Sequence, residues 1–162
     1  MDRIDYALLE ALQEDARASL AELGRKIGLS ISATNERVKK LVVAGTVKGW
    51  FVRLDADRLG YPVLAFVSVS TDRPDSANGF IAAMKDLPEV QECHQVDGAW
   101  NFVLKVRARD VAHLEAMVAR QIKAVPGVTG TQTTIVQRSP KDGQYIPCLP
   151  QAAAEAPALA QA

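Results

Sequence analysis

The stretch from Leu29 to Ala44, LSISATNERVKKLVVA, constrains the fold more than any other part of the chain. Ser30 is a good N-cap residue, because its hydroxyl can accept a hydrogen bond from a free amide of the first helical turn. Four side chains then follow at the spacing of one helix face, namely Thr34, Val38, Leu41 and Val42. We therefore predict a helix that begins after Ser30 and packs these four side chains against a core.

The remaining surface of this helix has a composition that suits DNA. Small, hydroxyl and amide side chains come first and cations follow, the set being Ser32, Ala33, Asn35, Arg37 and Lys40. We expect Ser32, Ala33 and Asn35 to approach base edges, whereas Arg37 and Lys40 anchor phosphates. A solvated amphipathic helix is the alternative, so the surroundings of the helix have to decide.

Two helices are expected before this stretch. Apolar residues at helical spacing predict the first from about Asp2 to Glu14. Ser19 and Glu22 have the spacing of a capping box and predict the start of the second helix, which ends at Gly28. A glycine-containing turn between the second and third helices is typical of a helix-turn-helix. A packed three-helix interaction domain is the alternative.

Cations are concentrated around the third helix, although the formal net charge of the 162 residues is zero. Between Arg25 and Arg53 the chain has seven cations and one acidic residue, Glu36. The alternation from Thr46 to Leu54 predicts a strand, which would form a wing or linker and bring Lys48 to a phosphate. We therefore predict a winged helix-turn-helix at residues 1–54 that binds double-stranded DNA. The predicted contacts are Ser30, Ser32, Ala33, Asn35, Arg37, Lys40 and Lys48.

A second domain is expected at residues 62–147, after a linker of turn-forming residues at 55–61. The predicted elements are Val63–Ser70, a helix through Phe80 and Met84, Val90–Val96, Trp100–Arg107, a helix capped by Asp110, and Val128–Gln137. Two β-α-β units in this order predict a ferredoxin-like βαββαβ domain, whose antiparallel four-stranded sheet has both helices on one face. The chain as a whole is then of the α+β class.

The other face of this sheet is predicted to be an interface. In the first strand Val67 and Val69 point to one side, whereas Leu64 and Phe66 point to the other, so both faces are apolar there. A bare apolar sheet face usually marks a contact surface. We therefore predict a homodimer formed through this domain.

Enzymes and membrane proteins are disfavoured by the sequence. No run approaches the roughly 18 apolar residues of a membrane span. Cys93 and Cys148 lack paired or metal-ligand spacing, which fits a reducing compartment and predicts a cytoplasmic protein. His94 and His113 belong to no recognisable nucleophile or metal pattern. We expect no catalytic residue, no metal and no cofactor.

The chain resembles the Lrp/AsnC family, the feast/famine transcription regulators of bacteria and archaea. The resemblance runs from Asp2 to about Pro147. It is carried by the run LAELGRKIGLSISATNERVKKLVVAGTVKGW, by DRLGYP at 57–62, by PEVQEC at 88–93, and by Pro126-Gly127-Val128 with its Thr-rich last strand. It implies a regulatory domain that dimerises through its sheet, assembly into rings that are commonly octamers, and an amino acid or related metabolite bound between dimers. The effector-binding residues that it implies are Gly98, Ala99, Trp100, Asn101, Thr131 and Thr133.

Two departures from the family pattern affect these expectations. Glu36 precedes Arg37 where members often have two adjacent cations, so Glu36 contacts protein or selects a base. Ala99 and Asn101 are neutral where the effector loop often has aspartates, so the carboxylate that would meet a ligand ammonium is missing. Asn101 offers a neutral carbonyl instead. The alternatives are that Asp97-Gly98 simply makes a hairpin turn and that the threonines are ordinary strand residues.

The sequence thus predicts a sequence-specific transcriptional regulator that responds to an amino acid or related metabolite. An architectural DNA-binding protein with low sequence preference is one alternative, and a stand-alone small-molecule sensor, suggested by fold alone, is another. The alanine- and proline-containing tail at 148–162 is expected to be disordered.

Overall fold

The structure is a computed structural model that describes residues 1–72 and 74–148. It divides into two compact units, one formed by Met1–Val52 with the segment that begins at Asp142, and the other by Arg53–Lys141. The tail predicted at 148–162 lies outside the described residues, apart from Cys148. Among the described residues, no helix has the length and hydropathy that crossing a bilayer requires.

The first unit contains three helices, α1 (Arg3–Glu14), α2 (Leu20–Ile27) and α3 (Ile31–Val43). Each begins at a side-chain cap: Asp2 accepts a hydrogen bond from the Asp5 amide, Ser19 from the Glu22 amide and Ser30 from the Ala33 amide. The predicted capping box at the start of α2 is confirmed, and α1 has a second one that the sequence analysis missed.

The helices enclose a small core of Leu8, Ala11, Leu12, Leu23 and Leu41. Thr34 is fully buried beside them, and its hydroxyl donates to the Ser30 carbonyl oxygen at 2.8 Å. The prediction that Val42 is buried was wrong, since 44% of it is exposed. The buried side of α3 is centred on Thr34 and Leu41, and Val42 lies on the flank of that side.

The turn between α2 and α3 depends on two glycines. Gly28 ends α2 with a φ of 73°, a left-handed conformation that glycine adopts at little cost. Gly24 lies where the two helices approach: a methyl group there would be 2.6 Å from the Leu29 carbonyl oxygen and 3.1 Å from Oγ1 of Thr34. The predicted helix-turn-helix is therefore confirmed and closely packed.

The strand predicted over Thr46–Leu54 is not formed in the described residues. The amides of Thr46 and Val47 donate to the Leu41 carbonyl oxygen and close the end of α3, after which the chain has no regular structure. A strand requires a neighbour to complete its ladder, and sequence alternation supplies none. Trp50 and Phe51, in this irregular segment, are 51% and 79% exposed.

The second unit is a four-stranded antiparallel sheet with two helices. Its elements are β1 (Val63–Thr71), α4 (Pro74–Lys85), β2 (Val90–Gln95), β3 (Phe102–Ala108), α5 (Val111–Met117), which continues as a π-helical turn (Val118–Ile122), and β4 (Val128–Ile135). The strand order β2-β3-β1-β4 confirms the predicted ferredoxin-like arrangement. Residues 55–61, predicted as a linker, form a compact turn in which the Tyr61 amide donates to the Ala56 carbonyl oxygen at 2.8 Å.

The two faces of the sheet differ. On one face, alternate residues of β1 and β3 pack against α4, α5 and the π-helical turn, and they are fully buried. On the other, which we call the open face, Phe66 remains 40% exposed. The strand register gives this face three apolar residues, Leu64, Phe66 and Val103, and four ionisable ones, Glu92, His94, Lys105 and Arg107. The open face is therefore more polar than β1 alone had suggested.

The segment 142–148 belongs to the first unit, whereas the second domain was predicted to extend to residue 147. Nε2 of Gln13 donates to the Ile146 carbonyl oxygen, and the Ile146 amide donates back to Oε1 of Gln13, both at 2.8 Å. This paired contact with α1 joins residues 133 positions apart in the chain, a separation that no local sequence pattern reveals.

Candidate functional site

The exposed surface of α3 is the first candidate site. Its exposed polar side chains are Ser32, Glu36, Lys39 and Lys40, while Ala33 and Asn35 are half-buried on its flanks. Because positions three and four apart share one side of a helix, Ser32, Glu36 and Lys39 form a continuous ridge. Ser30 lies at the start of the helix, where its hydroxyl is occupied by the Ala33 amide at 3.2 Å.

Arg37 does not belong to this exposed ridge. Its Nη1 donates to a carboxylate oxygen of Asp2 at 2.8 Å and to one of Asp5 at 2.6 Å, which ties α3 to the first turn of α1. The hydrogen bond with Asp5 is the main reason why the pKa of Arg37 is raised. The pKa of Asp2 is lowered by the Asp5 amide and then by Arg37. The structure thus pairs Arg37 with two carboxylates of its own chain, and the phosphate contact predicted for it stays a prediction.

Lys39 is a candidate that the sequence analysis missed. Its Nζ lies 3.2 Å from Oε1 of Glu36, and both side chains are more than half exposed. Its position, seven residues after Ser32, was the available signal, because two helical turns bring the two side chains onto the same side. Lys48, predicted to reach a phosphate, is exposed in the irregular segment after α3.

The predicted effector residues Gly98, Ala99, Trp100 and Asn101 lie in the connection between β2 and β3. Oδ1 of Asn101 accepts a hydrogen bond from the Thr71 amide at 2.8 Å, so the neutral carbonyl expected to meet a ligand is used within the fold. The Trp100 ring lies 3.8 Å from the point where a Cβ on Gly130 would sit. The loop therefore extends to the beginning of β4.

Thr131 and Thr133 do not share a face with Trp100. They pair with Val69 and Val67, whose side chains are buried under the helices, whereas Gly130 pairs with Ser70 on the open face. Thr133 instead lines a cavity of about 270 Å³ beneath α5. The structure therefore brings the loop and Gly130 together and separates both threonines from them.

The two histidines are engaged with neighbouring groups. Nε2 of His94 lies 3.0 Å from Oε2 of Glu92, and Nδ1 of His113 accepts from the Arg109 amide. Within residues 1–72 and 74–148, no three histidine, cysteine or acidic side chains are grouped so that they could hold a metal ion.

Comparison with known proteins assigns both units. Residues 1–42 match the AsnC-type helix-turn-helix domain, and residues 64–146 match the Lrp/AsnC ligand binding domain. The chain is 36% identical over 148 residues to the leucine-responsive regulatory protein of Salmonella typhimurium, covering 90% of each protein. It is 35% identical over 144 residues to the proline dehydrogenase transcriptional activator of Rhizobium radiobacter, covering 88% of this chain and 92% of that protein.

Solved structures agree with these matches. A transcriptional regulator of Neisseria meningitidis in complex with L-Met superimposes with a TM-score of 0.85 at 27% identity, covering 93% of this chain and 97% of that one. The structure of Escherichia coli AsnC gives a TM-score of 0.82 at 28% identity, covering 90% and 97%. These relatives are regulators and not enzymes, and the chain has both the DNA-binding helix-turn-helix and the ligand-binding domain of such regulators. It therefore belongs to the Lrp/AsnC family of transcriptional regulators.

Proposed function

We propose that the chain acts on DNA in the cytoplasm as a homodimer that inserts its two α3 helices into successive major grooves. The observation that carries this proposal is the exposed ridge of α3, which follows a closely packed helix-turn-helix. Two recognition helices related by a twofold axis require half-sites about one helical turn, roughly 34 Å, or a multiple apart. The target sites are therefore palindromic.

Each side chain of the surface has a role in this proposal. Ser32, Ala33 and Asn35 approach base edges, while Lys40 and Lys48 neutralise phosphates. Ser30 holds the first turn of α3 through its cap. Arg37 acts indirectly, because its bonds to Asp2 and Asp5 fix α3 against α1.

Apolar exposure supports the homodimer and its assembly into a larger ring. Phe51 and Val52 are 79% and 83% exposed in the segment after α3, and Phe66 is exposed on the open face. Large apolar side chains that stay exposed next to one another, as Phe51 and Val52 do, often mark a contact surface. A second copy of the chain would cover it.

The effector in this proposal is an amino acid or related metabolite, as the names of the leucine-responsive relative and of the L-Met complex suggest for those proteins. Gly98, Ala99 and Trp100 supply backbone groups and an aromatic face to it. The side-chain carbonyl oxygen of Asn101 accepts a hydrogen bond from the Thr71 amide. The side-chain amide nitrogen of Asn101 is therefore the polar group that contacts the effector. Thr131 and Thr133, on the other face, take a lesser part. Binding alters DNA affinity by favouring one arrangement of dimers.

The test is a fluorescence-anisotropy titration of the full chain against its own upstream region and against random DNA, at several salt concentrations. Lys40→Ala should weaken both DNAs similarly and reduce the salt slope by about one, because one phosphate contact is lost. Asn35→Ala should cost roughly 1–3 kcal/mol on the preferred site and nothing on random DNA. Lys85→Ala, at the end of α4 in the other unit, is the matched lysine control.

The same titration distinguishes the alternatives. Equal affinity for the upstream region and random DNA would support an architectural protein. An equal loss on both DNAs would overturn the role of Asn35. Repeating the titration with individual amino acids tests the effector, and Trp100→Ala should abolish any shift in DNA affinity that they cause.

A further inference from the structure

Glu36 occupies the centre of the exposed ridge of α3. Its neighbour Arg37 turns towards α1, and Thr34 and Leu41 mark the buried side of the helix. At about 100° per residue, position 36 lies almost opposite that buried side. Its side chain is 61% exposed. A carboxylate therefore lies on the side of α3 that a ligand would meet.

The ion pair between Glu36 and Lys39 adds little to the stability of the fold. Both partners are more than half exposed, and an exposed pair three residues apart contributes little to stability. A carboxylate in this position also repels the phosphates on either side of a groove. Glu36 therefore weakens binding to DNA in general unless a base edge offers it a donor.

We infer that Glu36 is a specificity-determining residue that accepts a hydrogen bond from the N4 amino group of a cytosine in the major groove. The inference rests on the proposed insertion of α3 into that groove. In the major groove the free amino donors are cytosine N4 and adenine N6, and adenine N7 beside N6 repels a carboxylate. The guanine paired with that cytosine presents O6 and N7 to Lys39. The Glu36–Lys39 pair thus matches the donor and acceptors of one C·G pair.

The experiment measures affinity for the preferred site and for every single base-pair change in it. The wild-type chain should prefer C·G at one position of each half-site by about 5- to 150-fold. Glu36→Ala should lose this preference and bind random DNA more tightly, because a negative charge is gone. Glu36→Gln should shift the preference towards adenine, since an amide pairs with both N6 and N7. Glu115→Ala, which removes one exposed carboxylate from α5, is the charge-matched control.

A site carrying N4-methylcytosine at that position tests the contact at the level of one atom. The methyl group replaces the major-groove hydrogen of N4 and leaves the base pair intact. It should weaken the wild-type chain and leave Glu36→Ala unaffected.

Lys40→Ala separates failure of this inference from failure of the proposed docking. If Lys40→Ala weakens all DNAs but Glu36→Ala retains the full C·G preference, α3 docks and the inference about Glu36 is wrong. If Lys40→Ala has no effect on any DNA, the proposed docking itself is wrong and the inference falls with it.

Discussion

Asp2 has two structural roles at the start of the chain. It caps α1 through the Asp5 amide, and its other carboxylate oxygen accepts from Arg37 of α3. Both contacts favour the ionised form, which is why the pKa of Asp2 is lowered. Since the folded-state pKa lies below the ordinary value of 3.8, the carboxylate stabilises the fold above that pH. This stability is lost as the pH falls through the lowered pKa.

Asp2→Asn should therefore lower the Tm of the first unit at pH 7, because asparagine retains a capping oxygen but loses the charge that Arg37 contacts. The difference from the wild-type chain should shrink below pH 3.8 and vanish once Asp2 itself is protonated. Circular dichroism melts across this pH range measure it. Glu115→Gln should leave the profile unchanged, and a difference for Asp2→Asn that persists at the lowest pH would contradict the ion-pair explanation.

The hydrogen-bond partners of individual side chains could not be predicted from sequence patterns. Arg37 was predicted to contact phosphates, and its ion pairs with Asp2 and Asp5, more than thirty positions away, could not be inferred from the composition of α3. The hydrogen bond of Asn101 with Thr71, 30 residues distant, was missed for the same reason. A side chain's role follows from the groups around it in space, which a linear pattern does not contain.

The helices of this chain begin where local sequence signals predict them to begin. The starts of α2, α3 and α5 follow from Ser19, Ser30 and Asp110, because a cap and the amide it satisfies are three residues apart. The segment 46–54 failed as a strand for the opposite reason, because a ladder needs a distant partner. Local signals therefore predicted helices well and this strand badly.

Two helical glycines should respond in opposite ways to replacement by alanine. Gly24→Ala should destabilise the first unit by roughly 1–3 kcal/mol, because its methyl group meets the Leu29 carbonyl oxygen at 2.6 Å and backbone cannot easily yield. Gly79→Ala, in α4, meets no atom within 4 Å and should stabilise the second unit by about 0.5–1 kcal/mol. Urea unfolding of the two variants measures both signs. If Gly24→Ala is as stable as the wild-type chain, α2 and α3 are not in close contact at Gly24.

The second unit shows which features of a whole domain can be predicted from the sequence and which cannot. Two β-α-β units were enough to predict the ferredoxin-like arrangement, in which the structure has the strand order β2-β3-β1-β4. The composition of the open face was not predicted from β1, because His94 and Lys105 come from neighbouring strands and join it only through their register. Surfaces assembled from several strands become visible only when the sheet is complete.

Phe66→Lys should break the proposed dimer, because it replaces an exposed aromatic side chain of the open face by a cation next to Lys105. Light scattering should give the wild-type chain at least twice its 17.5 kDa and the variant the mass of a single chain. Val111→Lys, at an exposed apolar position on α5, is the matched control and should keep the wild-type mass. If Phe66→Lys remains a dimer, the contact lies elsewhere, and the exposed segment around Phe51 becomes the next region to test.

The pairing of β1 with β4 also determines the order in which the chain can fold. The three helices of the first unit close their contacts within residues 1–43, whereas Ala65 must wait for Ile135 before the sheet gains its edge strand. Contacts between distant residues form more slowly than local ones, and a chain emerges from the ribosome N-terminus first. The helix-turn-helix is therefore folded while the ligand-binding sheet still lacks β4.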